Sequence, residues 1–137
     1  MSALPKKSPP VDDESRPFWE ATKEGRLCLP NCDDCNFVVF YPRSRCPACR
    51  SHSLEWVDLT GRGTIYSRTV VRRAPGRWRE HTPYVVAYVE LEEGPRMVTN
   101  IVDCDPDEVE IGLPVEVAFD PTEDGYALPR FRLSSRI

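Results

Sequence analysis

The sequence predicts a mainly β protein: a short N-terminal helix, a small metal-held ribbon, and then a five-stranded, partly open barrel of OB type. Three observations carry that expectation. Two CxxC pairs, Cys32-Asp33-Asp34-Cys35 and Cys46-Pro47-Ala48-Cys49, stand ten residues apart. From Val57 onward, long β-prone runs are separated by Pro, Gly and Asp. The principal helical signal is short and precedes the cysteines.

The elements follow in order. Residues 1–14, rich in Pro, Ser and Lys, have no apolar periodicity and are expected to be a flexible arm. In segment 15–25, Ser15 reads as an N-cap, Pro17 falls in the first turn and Gly25 stops a helix of residues 16–24. Such a helix is marginal in water, so Phe18 and Trp19 must dock on the rest of the chain or on a partner. In segment 26–56, Arg26 to Pro30 and Phe37 to Tyr41 are short β-prone runs flanking the first cysteine turn, and Ser51 to Trp56 leads out of the second.

Segment 57–137 is expected to form the barrel. Gly61-Arg62-Gly63 opens a strand over 64–73, and residues 74–83 form a loop carrying Arg77 and Trp78. Tyr84 to Leu91 is the most apolar strand; Gly94-Pro95 turns it into a strand over Arg96 to Val102. Asp105-Pro106-Asp107-Glu108 has an N-cap, a Pro at the first position and an acidic first turn, which predicts one helical turn ending near Gly112. Pro114 to Phe119 and Leu128 to Leu133 supply the last two strands. A two-sheet sandwich is the alternative, although five strands are few for one.

The residues around the cysteines contain too few large apolar side chains to form a core, so metal must hold them. Structural zinc contributes about 10–16 kcal/mol of apparent binding free energy at neutral pH. Cys32, Cys35, Cys46 and Cys49 suit a tetrahedral Zn²⁺ whose shell they fill, leaving no position for substrate. An iron site or disulfides are the alternatives for the same four residues. Asn36 and Arg50 follow the two pairs, where a Gly would more readily take the left-handed conformation; Asn tolerates it, and Arg is less usual there. Cys28 and Cys104 read as small buried hydrophobes.

Net charge is −4, which disfavours a general polyanion binder. Its distribution is uneven: residues 43–79 hold nine arginines against Glu55 and Asp58, whereas residues 80–137 hold thirteen acids against four arginines. An arginine zone of this kind suits a phosphate or carboxylate site, with a solvated charged face as the plain alternative. Met1 to Asp13 has no apolar segment of secretory type, and no apolar run approaches the ~18 residues of a membrane span. A cytoplasmic location is expected. No catalytic residue can be nominated: there is no GxSxG elbow, no phosphate loop and no open metal site, and only two histidines, His52 and His81.

In order, the pieces Phe18-Trp19-Glu20, Gly25-Arg26-Leu27, the two CxxC pairs, Pro42-Arg43 and Gly61-Arg62-Gly63-Thr64 resemble the zinc-ribbon OB-fold proteins of the DUF35 class. Thr69-Val70-Val71, Pro83-Tyr84-Val85-Val86-Ala87, Gly112-Leu113-Pro114-Val115-Glu116-Val117 and Leu128-Pro129-Arg130-Phe131 extend the resemblance over residues 16–135. It implies a rubredoxin-like ribbon with structural zinc, an OB-fold barrel, and a non-catalytic role in acyl-CoA metabolism. The implied partner is a thiolase-like, lipid-transfer-protein-like or hotdog-fold hydratase subunit in a hetero-oligomer, with steroid side-chain degradation among the settings.

Within that role, Arg72, Arg73 and Arg77 are expected to pair with coenzyme A phosphates, and Trp78 and Tyr84 to stack on its adenine. Phe18, Trp19, Phe37, Val38, Val39 and Phe40 are expected to form the partner surface, with ordinary ribbon packing as the alternative. Single-stranded nucleic-acid binding is the competing function, since zinc ribbons and OB barrels both serve it. The acidic pI of about 5.2 and the confinement of the arginines to one region weigh against a long backbone track.

Overall fold

The computed structural model describes residues 3–134. It contains a helix α1 (Arg16–Thr22), a two-stranded ribbon sheet of β1 (Cys28–Cys32) and β2 (Leu54–Asp58), and five barrel strands. These are β3 (Arg62–Val71), β4 (Tyr84–Leu91), β5 (Arg96–Val102), β6 (Pro114–Pro121) and β7 (Ala127–Leu133). Among the described residues no helix is long and apolar enough to cross a membrane.

The barrel runs in the order β3-β4-β5-β7-β6 and is closed, where a partly open one was expected. Strand β5 pairs in parallel with β7 through Ile101 and Phe131, and β3 meets β6 through Arg62–Glu116 and Gly63–Val115. Closure depends on glycine at this seam. A Cβ on Gly63 would lie 2.4 Å from the carbonyl oxygen of Glu90, so only a residue without one lets three strands converge there. Inward-facing Val85, Ala87, Val89 and Leu91 alternate along β4 and pack with Ile65, Met97, Ile101, Val115 and Phe131.

The helix is where ribbon and barrel join. Phe18, Trp19, Leu27 and Leu29 belong to the same buried cluster as the barrel residues, so the chain has one continuous core. Phe18 is 1% exposed and Trp19 7%. Each buried aromatic of this kind contributes roughly 1.5–3 kcal/mol by area. Thr22 closes the helix by donating to the Trp19 carbonyl at 2.6 Å, while its hydroxyl accepts the Ala127 N–H of β7 at 3.1 Å.

Two expectations are corrected here, and a third is refined. The ribbon partner of β1 is β2, in the register Cys28–Asp58 to Cys32–Leu54. Phe37 to Tyr41 is not a ladder strand: its pairing is a single bridge, Asn31 with Val38. The reason is that Phe40 and Tyr41 turn their rings onto Phe18, with centroids 6.2 and 6.1 Å away, which takes the backbone off the sheet. Ser15 is the N-cap, as expected, but its side chain makes no capping bond to the helix; it is tied instead to the preceding Asp12. The Asp12 carboxylate accepts the Ser15 N–H at 2.8 Å and the Ser15 hydroxyl accepts the Asp12 N–H at 3.2 Å.

The described part of the N-terminal arm is fastened rather than free. Arg130 donates to the Pro5 carbonyl, Lys6 lies 3.6 Å from Asp120, and the Glu14 carboxylate accepts the Ser44 N–H at 2.7 Å. Residues 74–83 include a 3-10 turn over Gly76–His81, and the helical turn after Asp105 is a 3-10 turn of Pro106–Glu108 with a complete capping box.

Candidate metal centre and ligand face

Each CxxC pair forms the same knuckle. In the first, the Cys32 carbonyl accepts from Asn36 N–H at 2.8 Å and the Cys32 N–H donates to Phe37 at 2.8 Å. In the second, the same two bonds join Cys46 to Arg50 and to Ser51, again at 2.8 Å. Both knuckles turn through a left-handed residue, Asn36 at φ 63° and Arg50 at φ 68°. Asn36 adopts the conformation it tolerates, and Arg50 adopts it too although Arg is less usual there.

The repetition presents four sulfurs to one point. All lie within 4.8 Å of one another, with Cys32–Cys49 at 3.5 Å and Cys35–Cys46 at 3.6 Å. A tetrahedron with Zn–S bonds of about 2.3 Å has S···S edges of ~3.8 Å, so the cluster fits zinc with little movement. Backbone N–H groups of Phe37 and Ser51 donate to Cys35 and Cys49, and those of Ala48 and Cys49 to Cys46. Burial pushes the Cys46 thiol up, but those donors and the neighbouring thiols outweigh it and bring it to about 7; Cys35, despite its Phe37 donor, is pushed up to about 12 by burial and the other three thiols, and Cys49 is raised as well, so the four sulfurs share protons that a metal must displace. The chain's zinc is structural: four thiolates complete its shell.

His52 is exposed and outside the cluster. The two remaining cysteines are shielded: burial raises the thiols of Cys28 and Cys104.

The expected ligand residues gather at one end of the barrel. Strand β3 ends opposite Tyr84 at Val71, so Arg72 and Arg73 stand just beyond it, exposed. Arg77 is exposed on the 3-10 turn, and Trp78 from that turn packs on Tyr84 with ring centroids 4.6 Å apart. Arg72 makes an exposed ion pair with Asp107 at 3.4 Å. A cleft of about 260 Å³ beside them is lined by His81, Tyr84, Val85, Ile101 and Cys104.

The expected partner surface does not hold together as an exposed patch. Phe18, Trp19 and Val39 are buried in this chain's own core, and Val38 and Phe40 are half-buried; only Phe37 is open, at 44%. The helix and ribbon consume these side chains because neither element has another source of apolar burial. Exposed apolar surface lies instead on β3, β4 and β5, where Tyr66, Tyr88 and Val98 point outward. Strand alternation, which places Tyr88 out of phase with the buried Ala87 and Val89, was the signal available for them.

Comparison with known proteins places this architecture. Residues 19–55 match the model of the ChsH2 rubredoxin-like zinc ribbon domain, and residues 56–120 that of the ChsH2 C-terminal OB-fold domain. A DUF35 domain-containing scaffold protein of Methanocaldococcus jannaschii is 43% identical over 104 residues, which are 74% of this chain and 73% of that one. A probable enoyl-CoA hydratase alpha subunit of Thermomonospora curvata is 40% identical over 90% of this chain, but the match spans only 39% of that relative's length. Among solved structures, a chain of an Ltp2-ChsH2(DUF35) aldolase superposes with a TM-score of 0.81 at 37% identity, covering 92% of this chain and 98% of that one.

Proposed function

The chain belongs to the DUF35 family of ChsH2-type zinc-ribbon and OB-fold proteins, and from that premise we propose that it is an accessory subunit of an acyl-CoA-processing complex. Its partner in this proposal is a thiolase-like or lipid-transfer-protein-like aldolase subunit, or a hydratase subunit. The observation that carries the proposal is the whole-length likeness to the DUF35 chain of an aldolase complex, metal knuckles and barrel together. The site chemistry is consistent with support rather than turnover, because the four-cysteine shell has no position for a reacting group.

The acyl-CoA contact proposed for this subunit lies at the Trp78–Tyr84 end of the barrel. Arginine forks pair with phosphate and pyrophosphate in a way isolated surface charges do not; Arg72 and Arg73 follow the end of β3 opposite Tyr84, Arg77 precedes Trp78, and the Trp78–Tyr84 pair offers rings on which adenine can stack. Asp107 competes for Arg72, but that ion pair is exposed and weak.

Co-expression with the thiolase-like, aldolase or hydratase subunit of the same organism tests the role. A stable heteromeric complex is expected, with acyl-CoA turnover by the complex and little by this chain alone; robust turnover by the isolated, homogeneous chain overturns it. In the complex, Arg72→Ala with Arg73→Ala should weaken acyl-CoA binding by roughly 1–3 kcal/mol per lost charge-assisted contact. Unchanged affinity at low salt would remove the arginines from the ligand site.

A further inference from the structure

The outward face of β3, β4 and β5 carries a built aromatic cluster to which nothing above assigns a role. The register puts Ser67 opposite Tyr88 and Tyr88 opposite Val98, a row across three strands. A bulge between Ile65 and Ser67 interrupts the β3 ladder at Tyr66, and both Tyr66 and Ser67 stand exposed there. Bulges re-aim side chains in this way. The Tyr66 and Tyr88 rings meet edge to face at 6.5 Å, and the Arg96 guanidinium lies over Tyr66 at 3.8 Å. Glu90, the cross-strand partner of Arg96, fixes that guanidinium at 3.0 Å.

Four side chains thus hold one another in place while Tyr66, Tyr88 and Val98 remain 48%, 44% and 63% exposed. Isolated exposed apolar residues need no explanation, but a contiguous, pre-ordered group of Tyr and Arg has the composition of an interface hot spot. Holding the rings in advance lowers the ordering cost of association. Charge selects the occupant: Glu90 cancels Arg96 within the cluster, so the face offers aromatic and apolar contact with no net attraction for a phosphate backbone. Sequence alternatives for docking, Phe18, Trp19 and Val39, are spent on the core.

We propose that this face, centred on Tyr66, Tyr88, Val98 and Arg96, docks the catalytic partner subunit through a neutral, apolar patch on that subunit. The proposal rests on the accessory-subunit function and names its contact surface. It separates the two ends of the barrel's work, with protein bound on the β3–β5 face and acyl-CoA contacted at the Trp78–Tyr84 end.

The test uses the full chain co-expressed with the aldolase-type or hydratase subunit of its own organism. Three forms are compared: wild type, Tyr88→Ala with Val98→Asp, and a control, Ile111→Asp, at an exposed apolar residue (68%) elsewhere. Zinc content and melting temperature verify that each form is folded. Wild type and the control should form the complex, and the face variant should bind at least about 30-fold more weakly, the size expected for a hot spot. Equal binding by the face variant overturns the docking face and leaves the accessory role standing. Failure of wild type to bind any of these subunits overturns the accessory role and the face with it. Tight binding of a single-stranded dT20 oligonucleotide that the face variant loses would mark a nucleic-acid platform instead and overturn the proposal.

Discussion

The indole N–H of Trp19 donates to the Tyr41 hydroxyl at 3.0 Å, tying α1 to the segment that links the two metal knuckles. Phe18 stands edge-on to Trp19 at 4.8 Å and within 6.2 Å of Phe40. A helix of seven residues cannot hold itself in water, so this aromatic group is what orders it.

Trp19→Ala is therefore expected to cost about 3–5 kcal/mol, the range for truncating a buried aromatic. Tyr41→Phe, which removes one hydrogen bond from a residue that is partly exposed, should cost about 0.5–1.5 kcal/mol. Urea unfolding monitored by circular dichroism checks both. A stability unchanged by Trp19→Ala would mean that the indole serves a partner and not this core.

Cys32→Ser leaves three sulfurs where the knuckles require four, and the ribbon folds only with its metal. Elemental analysis should find one zinc per wild-type chain and a stoichiometry well below one in the variant. Chelation of the wild type should lower the melting temperature and expose Trp19, read as a red shift in tryptophan emission, because α1 packs against the ribbon strand. Freshly purified, reduced protein free of stoichiometric metal would contradict the zinc assignment.

The barrel strands were legible where local chemistry fixes them. Tyr84–Leu91 and Arg96–Val102 match the runs read from alternation and from the Gly94-Pro95 turn. The metal ligands and the left-handed Asn36 and Arg50 were legible for a similar reason, since a CxxC knuckle is a local structure. The pairing of β1 with β2 was not, because it joins Cys28 to Asp58 across a long sequence interval and no periodicity records which runs meet. Phe18, Trp19 and Val39 were misplaced at a surface because hydrophobicity states that a side chain must be covered without stating by what. The Tyr66–Arg96 contact was missed for a complementary reason: it depends on a bulge and on cross-strand register, both settled only when the barrel closes.

Arg130 and Asp120 form the pair most hidden from sequence reasoning, which met both only in the charge balance of residues 80–137. They meet at 2.8 Å across β6 and β7, with side chains only 5% and 3% exposed. Burial pulls the Arg130 guanidinium below its ordinary value, and Asp120 opposes that pull. Arg130 also donates to the Pro5 carbonyl, and Lys6 approaches Asp120, so the pair anchors the arm as well as the two strands. Removing one member leaves a buried charge uncompensated, which costs about 3–5 kcal/mol, whereas replacing both with apolar residues of similar volume is often neutral. Asp120→Ala should accordingly be strongly destabilising, and Asp120→Leu with Arg130→Met should recover most of the loss in chemical unfolding. Both variants should cleave faster with trypsin at Lys6 and Lys7 than wild type, because each removes the anchor of the arm. A double variant that is stable yet keeps wild-type resistance at those lysines would show that the arm is held by contacts other than the ion pair.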